Sequence, residues 1–525
     1  MTFAHRPRAA LFLMLLVATL NAGAASAQSI DQTINETVGL ISGPFASFIF
    51  ASLPGTSVPW IVIWLVIGAS VFTLYFGLIQ FRAFGHAIAL VRGDYADPTH
   101  AGEVSHFQAL STALSGTVGL GNIAGVAVAV TVGGPGATFW MIVAGLMGMA
   151  TKFTECTLGV KYRNEYPDGT VSGGPMYYLS KGLAEKGFAG AGRVMAVLFA
   201  ICCVLGSFGA GNMFQANQVH AQIVNVTGGA NSPLSGQGWL TGFVMASVVF
   251  AVIVGGIKSI AAFAEKIVPL MGILYCGAAF AILALNYERI PWAVTQIWHG
   301  AFTGLGVAGG ALGALVQGFR RAAFSNEAGF GSASIAHSAV RTNEPVTEGF
   351  VSLLEPFIDT VVICTMTALV IVVTGVLQTD PTTGLYIWNA ETGRILTARN
   401  ETGVELTSTA FASAFSWFPY VLAVAVILFA FSTMISWSYY GVKAWTYLFG
   451  EGKATELVFK VLFCLAVIVG SAMNLSSVID FADSAVFTMA LINIAGLYVL
   501  MPVVKREMNS YLERLQSGEI RPTRR

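Results

Sequence analysis

Residues 107–132 form an apolar run long enough to cross a lipid bilayer, yet its middle reads SGTVGLGNIAG, Ser115 to Gly125. Gly116, Gly119, Gly121 and Gly125 each weaken an interior helical position, by about 1 kcal/mol relative to alanine. Asn122 adds a carboxamide at the same depth. The stretch predicts a spanning helix that opens in its middle. Backbone that leaves the helix at membrane depth is tolerated only where protein buries it or where it lines a cavity. A glycine face packed on a neighbouring helix explains the same residues, and both readings stand on this stretch alone.

The rest of the chain supports a membrane setting. Of 525 residues 55% are hydrophobic and 10% charged, with mean hydropathy +0.71. A soluble domain carries about 25% charged residues, so the composition predicts an all-α polytopic membrane protein. The formal net charge is zero, which offers no basic surface to nucleic acid. Cys156, Cys202, Cys203, Cys276, Cys364 and Cys464 lie in apolar runs without C-x-x-C spacing, and read as small buried hydrophobes.

Residues 1–27 predict a signal peptide or signal anchor. Arg6 and Arg8 precede an apolar core, Leu11–Leu20, and Ala25-Ser26-Ala27 resembles a cleavage site. Residues 28–58 carry no Lys or Arg, as an external N-terminal segment should. Eleven spans follow: 59–81, 107–132, 136–160, 194–219, 239–257, 267–286, 301–340, 353–377, 420–441, 461–479 and 484–504. Each is near the ~20 residues a bilayer requires. Starting outside, the inside connections and the 505–525 tail hold nineteen Lys and Arg, against three outside. The positive-inside rule then predicts a multi-pass inner (plasma) membrane protein with an external mature N-terminus and a cytoplasmic C-terminus. The external stretch 378–418 is polar and long, and reads as a lid over an outer vestibule or as a solvated excursion.

The 301–340 span has its own interruption, SNEAGFGSAS, Ser325 to Ser334. A carboxylate within a membrane span is costly and usually marks an ion or substrate path, and here Glu327 sits beside Gly329 and Gly331. Setting aside 59–81 as an extra helix leaves two groups of five, 107–286 and 301–504, each opening on a broken span. Five is odd, so the two groups have opposite orientation. Paired breaks in inverted repeats point to a transporter's binding site near the bilayer midplane.

TVGLGN (Thr117–Asn122) and GFG (Gly329–Gly331) resemble the unwound segments of LeuT-fold transporters. GNIAGVAVAVTVGGPGATFWM (Gly121–Met141), ATKFTE (Ala150–Glu155), FSNEAGFGSA (Phe324–Ala333) and EPFIDT (Glu355–Thr360) resemble the alanine or glycine:cation symporter family (sodium:alanine symporters) of bacteria and archaea. The resemblance covers nearly the whole chain after residue 27. It departs at Leu120, where many members carry Thr or Ser, and at Phe330, where many carry Met.

That resemblance implies a LeuT-like fold of five plus five inverted helices with one extra N-terminal helix. It also implies a secondary symporter that imports a small neutral amino acid, alanine and/or glycine, together with Na+. The solute carboxylate would meet backbone N–H groups of Leu120 and Gly121, with Gly119 beside them in the pocket, and the ammonium would meet carbonyls near Phe324 to Gly329. Phe324 would gate the pocket, while Gln215, Phe330, Gly331, Thr433 and Trp437 would complete it. Thr433 and Trp437 are four apart, on one helical face. One Na+ would sit among Thr117, Asn122, Ser325 and Asp359, and a second among Ser115, Val118, Ser432 and Thr433. Asp359 reads equally as a paired carboxylate that locks helices together. Glu327 reads either as an ion ligand or as a partner of Arg320 or Arg321, and Asp480 and Asp483 as solvated at a span's outer end.

Proton coupling, or another LeuT-fold solute transporter, is the alternative. A membrane-embedded enzyme is a remote one, since the seven histidines form no H-E-x-x-H pair and no clear triad. Nor is there a G-x-x-x-x-G-K-[ST] loop to hold ATP.

Overall fold

The computed structural model describes residues 43–97, 99–167, 169–303 and 310–522. The signal at 1–27 and the external segment up to 42 lie outside the described residues. The principal helices are α1 (Trp60–Tyr75), α2 (His106–Thr117), α3 (Val126–Gly133), α4 (Ala137–Lys161), α5 (Ala189–Phe208), α6 (Phe214–Val226), α7 (Gly238–Ile253) and α8 (Gly256–Leu285). They continue with α9 (Ile290–Phe302), α10 (Gly310–Asn326), α11 (Ala333–His337), α12 (Pro345–Ser352), α13 (Thr365–Thr374) and α14 (Val404–Ala412). The chain closes on α15 (Phe418–Phe449), α16 (Lys453–Ala472) and α17 (Leu475–Gln516).

Among the described residues, six continuous helices are long and apolar enough to cross a membrane. The bent pair His106–Thr117 and Gly121–Gly133 makes a seventh. α1 and α7 are apolar but have only 16 residues each. α4 is 25 residues long and holds Lys152 and Glu155 fully buried.

Both expected interruptions are present. A capping box starts α2: Gln108 N–H donates to Ser105 Oγ at 3.2 Å, and Ser105 N–H donates to Gln108 Oε1 at 3.1 Å. The helix stops at Thr117, and the chain resumes as a π-turn over Gly121–Gly125, in which Ala124 and Gly125 N–H both reach Leu120 O. The two halves are bent by 51°. Glycine packing operates here as well. A Cβ on Gly116 would come 3.0 Å from the Tyr440 hydroxyl, so one stretch both breaks and packs. The second interruption follows α10, where Gly329 (φ +96°) and Gly331 (φ +81°) adopt left-handed backbone. Glu327 does so too (φ +58°), an uncommon conformation for a residue with a side chain.

Two packing centres organise the helices. α4 lies against α1, α10, α11 and α12, approaching closely where Gly148 faces Ala328 and Gly159 faces Ser334. α15 crosses the other group, against α2, α5, α6, α8 and α16. The 378–418 stretch is docked rather than loose. It forms a short hairpin, Trp388–Asn389 with Arg394–Ile395, and then α14, whose Thr407 hydroxyl donates to Ile123 O at 3.3 Å beside the first break. Within it, burial works against the Glu401 carboxylate. Backbone N–H groups of Arg399 and Glu401 and the Thr397 and Thr409 hydroxyls outweigh that and hold its pKa below the ordinary value.

α10 and α17 are tied by charge. Asp483 is fully buried, not solvated as its position at a span's end suggests. Its Oδ2 accepts from Arg320 Nη2 at 2.7 Å and also from Arg321. The helix continues past both ends of the apolar stretch, so Asp483 faces α10 instead of water. Glu327 pairs with neither arginine; Trp437 and Ser332 take its two oxygens. Removing one member of a buried pair leaves the other charge uncompensated, at a cost of about 3–5 kcal/mol. Asp483→Asn should therefore lower the melting temperature in detergent clearly, while Asp480→Asn, at a partly exposed neighbour, should stay within about 0.5 kcal/mol of the parent. Superimposable melting curves for the two variants would show that the pair contributes nothing.

Candidate functional site

The two interruptions touch each other. A Cβ on Gly121 would lie 3.3 Å from Ser325 Cα, so the first break sits directly against the end of α10. Around this crossing, Asn122, Ser325 and Asp359 form one buried cluster. Asn122 Nδ2 donates to Asp359 O at 3.1 Å and also to its carboxylate. Ser325 Oγ lies 2.9 and 2.8 Å from the two Asp359 oxygens. Asp359 belongs to a π-helical segment, Phe357–Cys364, between α12 and α13, and Thr360 Oγ1 donates to it at 3.0 Å. Among the described residues no Lys, Arg or His forms an ion pair with Asp359. A buried carboxylate supplied with amide and hydroxyl donors but no countercharge has the chemistry to hold a cation. Thr117 is expected in the same set through its carbonyl; its hydroxyl donates to Ala113 O of its own helix at 3.2 Å.

The opened backbone of the first break is held by side chains. Gly119 N–H donates to Asn122 Oδ1 at 2.9 Å, and Leu120 N–H donates to Gln215 Oε1 at 3.0 Å. Gln215 is itself aimed by its Nε2, which donates to Ala210 O at 2.9 Å across the π-turn joining α5 to α6. Only glycine fits at position 119, where an added Cβ would stand 2.4 Å from Thr433 Oγ1. That hydroxyl is buried and has no hydrogen-bond partner among the described residues. One turn along α15, Trp437 lies against Gly211 and donates from Nε1 to Glu327 Oε1 at 2.8 Å. Gln215, Thr433 and Trp437 thus surround the breaks.

The residues expected around a second cation join α2 to α15. Ser115 Oγ donates to Ser432 O at 2.8 Å, and Ser436 Oγ donates to Thr112 O at 2.9 Å. Val118 is the residue at which α2 ends. Phe324 packs edge-on against Phe214 at 5.2 Å, with the Arg321 guanidinium 5.1 Å from its ring. Gly329, Phe330 and Gly331 meet a different set of partners. The Phe330 ring packs on Phe487 at 5.5 Å. Asn493 Nδ2 donates to Gly329 O at 2.9 Å and to Glu155 Oε1 at 2.7 Å, and Gly331 N–H donates to the same Glu155 oxygen at 3.1 Å.

Several of these groups have no local signature. Gln215 and Leu120 are 95 positions apart, and Glu155 and Asn493 are 338 apart. Charges inside a span are the signal that singles out Lys152 and Glu155, although it does not name their partners.

Comparison with known proteins agrees with this geometry. The profile of the sodium:alanine symporter family matches residues 46–524. The sodium/alanine symporter AgcS of Methanococcus maripaludis is 39% identical over 451 residues, spanning 86% of this chain and 93% of its own. A probable sodium/glutamine symporter, GlnT of Bacillus subtilis, is 33% identical over 85% of this chain and 87% of its own. Among solved structures, MhsT in complex with L-phenylalanine superposes with a TM-score of 0.53 at 14% identity, covering 75% of this chain and 88% of that one. That likeness shows the LeuT-like fold. With two broken helices crossing at a buried, uncompensated carboxylate and the family profile matched nearly end to end, the chain belongs to the sodium:alanine symporter family, as a cation-coupled amino-acid transporter and not an enzyme.

Proposed function

We propose that the protein imports a small neutral amino acid, alanine and/or glycine, together with Na+. The observation that carries this reading is Asp359, a buried carboxylate met by Asn122, Ser325 and Thr360 and by no basic side chain among the described residues. Na+ is a hard cation suited to carboxylate, carbonyl and hydroxyl oxygens. Bound here it would neutralise Asp359 while drawing the first break, through Asn122, toward the end of α10. The name of the Methanococcus relative supports the same pair of solutes. A second Na+ is assigned to Ser115, Val118, Ser432 and Thr433, where α2 ends on α15.

The solute carboxylate is assigned to the N–H groups of Leu120 and Gly121. It would displace the Gln215 carboxamide oxygen from Leu120, and the Gln215 amide, turned from Ala210 O, would donate to it from Nε2. Thr433 and Trp437 crowd the site from α15, which leaves little room for a side chain. Selection by size amounts to about 1–3 kcal/mol per methylene, so larger solutes are disfavoured but not barred. The positive-inside count supports a mature N-terminus outside and a C-terminal tail in the cytoplasm, with the docked 378–418 stretch as the external cover.

Energetics are sufficient for accumulation. A potential of ~100 mV contributes about 2.3 kcal/mol per charge, and a tenfold Na+ gradient adds roughly 1.4 kcal/mol. Together these sustain a few hundredfold accumulation of a zwitterion. Transport proceeds by alternating access, one helical group rocking against the other around the crossing of the breaks.

Purified protein in liposomes should take up radiolabelled alanine or glycine when Na+ is high outside, and lose that uptake when K+ replaces Na+ at fixed pH. Uptake driven equally by a proton gradient without Na+ would overturn sodium coupling. Asp359→Asn and Asn122→Ala should each weaken Na+ binding at least about tenfold, since a lost charge-assisted contact is worth some 1.5–3 kcal/mol. Isothermal titration with Na+ measures this, and unchanged affinity in both variants would remove the cluster from the ion site.

A further inference from the structure

Four helices meet at a chain of acid and base groups that the breaks do not use. His106 opens α2, Lys152 lies within α4, and His337 ends α11. Glu348 belongs to α12 and Glu355 follows one turn beyond it. His106 Nδ1 meets one carboxylate oxygen of Glu348, and His337 Nδ1 meets the other. His337 Nε2 then lies 2.6 Å from Glu355 Oε1, and Lys152 Nζ donates to Glu355 Oε2 at 3.2 Å. Every member except His106 has no exposed surface, and His106 has 5%. Glu155, Cys156, Glu327 and Tyr440 face the Lys152–Glu355 end. At the other end His106 borders a cavity of about 370 Å³, with Arg92, Asp97 and Arg341 around it.

Counting protons along the chain is decisive. An ionised carboxylate only accepts, and a neutral imidazole has one N–H to give. If Glu348 and Glu355 are both ionised, His337 must be an imidazolium to satisfy both. If His337 is neutral, one of the carboxyls must hold the proton. In either arrangement a dissociable proton resides inside the protein, and it balances the second carboxylate after Lys152 has balanced the first. Cys156 lies near His337 and Glu355 in a grouping that could hold a metal ion. Both imidazole nitrogens are already engaged by carboxylates, which favours the proton.

We propose that His337, Glu348, Glu355 and Lys152 form a proton-binding site, loaded through His106 from the adjoining cavity and emptied during transport. A proton taken by the outer nitrogen of His106 moves its Nδ1 proton to Glu348, and from there to His337. One proton enters: His106 and Glu348 return to their starting protonation, and a His337 that began neutral ends as the imidazolium that holds it. The site is tied to both broken helices: His106 begins the helix that runs into the first break, and His337 ends the helix that leaves the second. Both depend on Glu348 of α12, so any shift of either half-helix relative to α12 separates an imidazole from its carboxylate. Glu355 precedes Asp359 by four residues, so the cation site and the proton site share one stretch of chain. Asp380 and the other acidic residues of the 378–418 stretch take no part.

This inference rests on the sodium–alanine reading for its trigger, and the test separates the two. Purified full-length protein in weakly buffered detergent is given Na+ and alanine while a pH-sensitive dye counts protons and calorimetry reports solute binding. The expected result is an exchange of about one proton per chain on binding, lost in Glu348→Gln with solute binding retained. Binding without any proton exchange in the parent protein overturns the proton site and leaves the sodium–alanine reading intact. Failure of alanine to bind overturns that reading alone. The site is then decided by solid-state NMR of ¹⁵N-histidine protein, with His337→Gln to assign the signal. Both nitrogens of His337 should be protonated or strongly hydrogen-bonded, and one bare, pyridine-type nitrogen overturns the proposal whatever the solute.

Discussion

The structure depends on a requirement imposed by its apolar surroundings: a peptide group released from a helix must find another partner. Both interruptions meet it with side chains brought from elsewhere in the chain. At the first, Asn122 and Gln215 hold the N–H groups of Gly119 and Leu120. At the second, Glu155 receives Gly331 N–H and Asn493 donates to Gly329 O. Unpartnered, each of these groups would cost several kcal/mol in hydrocarbon. Partnered by side chains on other helices, they become points at which those helices are fixed to the breaks.

The same requirement explains why the charged residues of the interior gather where they do. Asp483 is ion-paired with two arginines on α10, and Lys152 and two histidines serve Glu348 and Glu355. Asp359 is left with neutral donors only. Glu155 and Glu327 are likewise hydrogen-bonded by neutral donors alone, but Asp359 is the carboxylate held by Asn122 of the first break and by Ser325 at the end of α10. The family is one of cation-coupled transporters, and the crossing of the breaks holds a buried carboxylate with no basic partner among the described residues.

Much of the fold was legible because its signals are local. Glycines and an asparagine within an apolar run mark a break wherever they occur, and both interruptions lie where the motifs put them. Grouping Asn122, Ser325 and Asp359 required the family resemblance, since nothing in their spacing brings 122 to 359; in the fold they are in contact. Asp483 was misread because a charge near the end of an apolar stretch looks solvated until the helix is seen to continue past it. The acid–base chain was illegible as a unit. His106 and Glu348 are 242 positions apart, and Lys152 and Glu355 are 203 apart. A carboxylate–imidazole contact depends on how helices cross, which periodicity along one helix does not report.

α15 reaches both openings from one face, with Thr433 against Gly119 and Trp437 bonded to Glu327. These two residues are four positions apart, about 6 Å along a single stiff rod. The rod therefore acts as a common yardstick: neither opening can change its separation from the other without losing register with one of those side chains. Anything seated between the two openings would be gauged against a length built into the protein, and one of the wrong reach would misfit at both ends together.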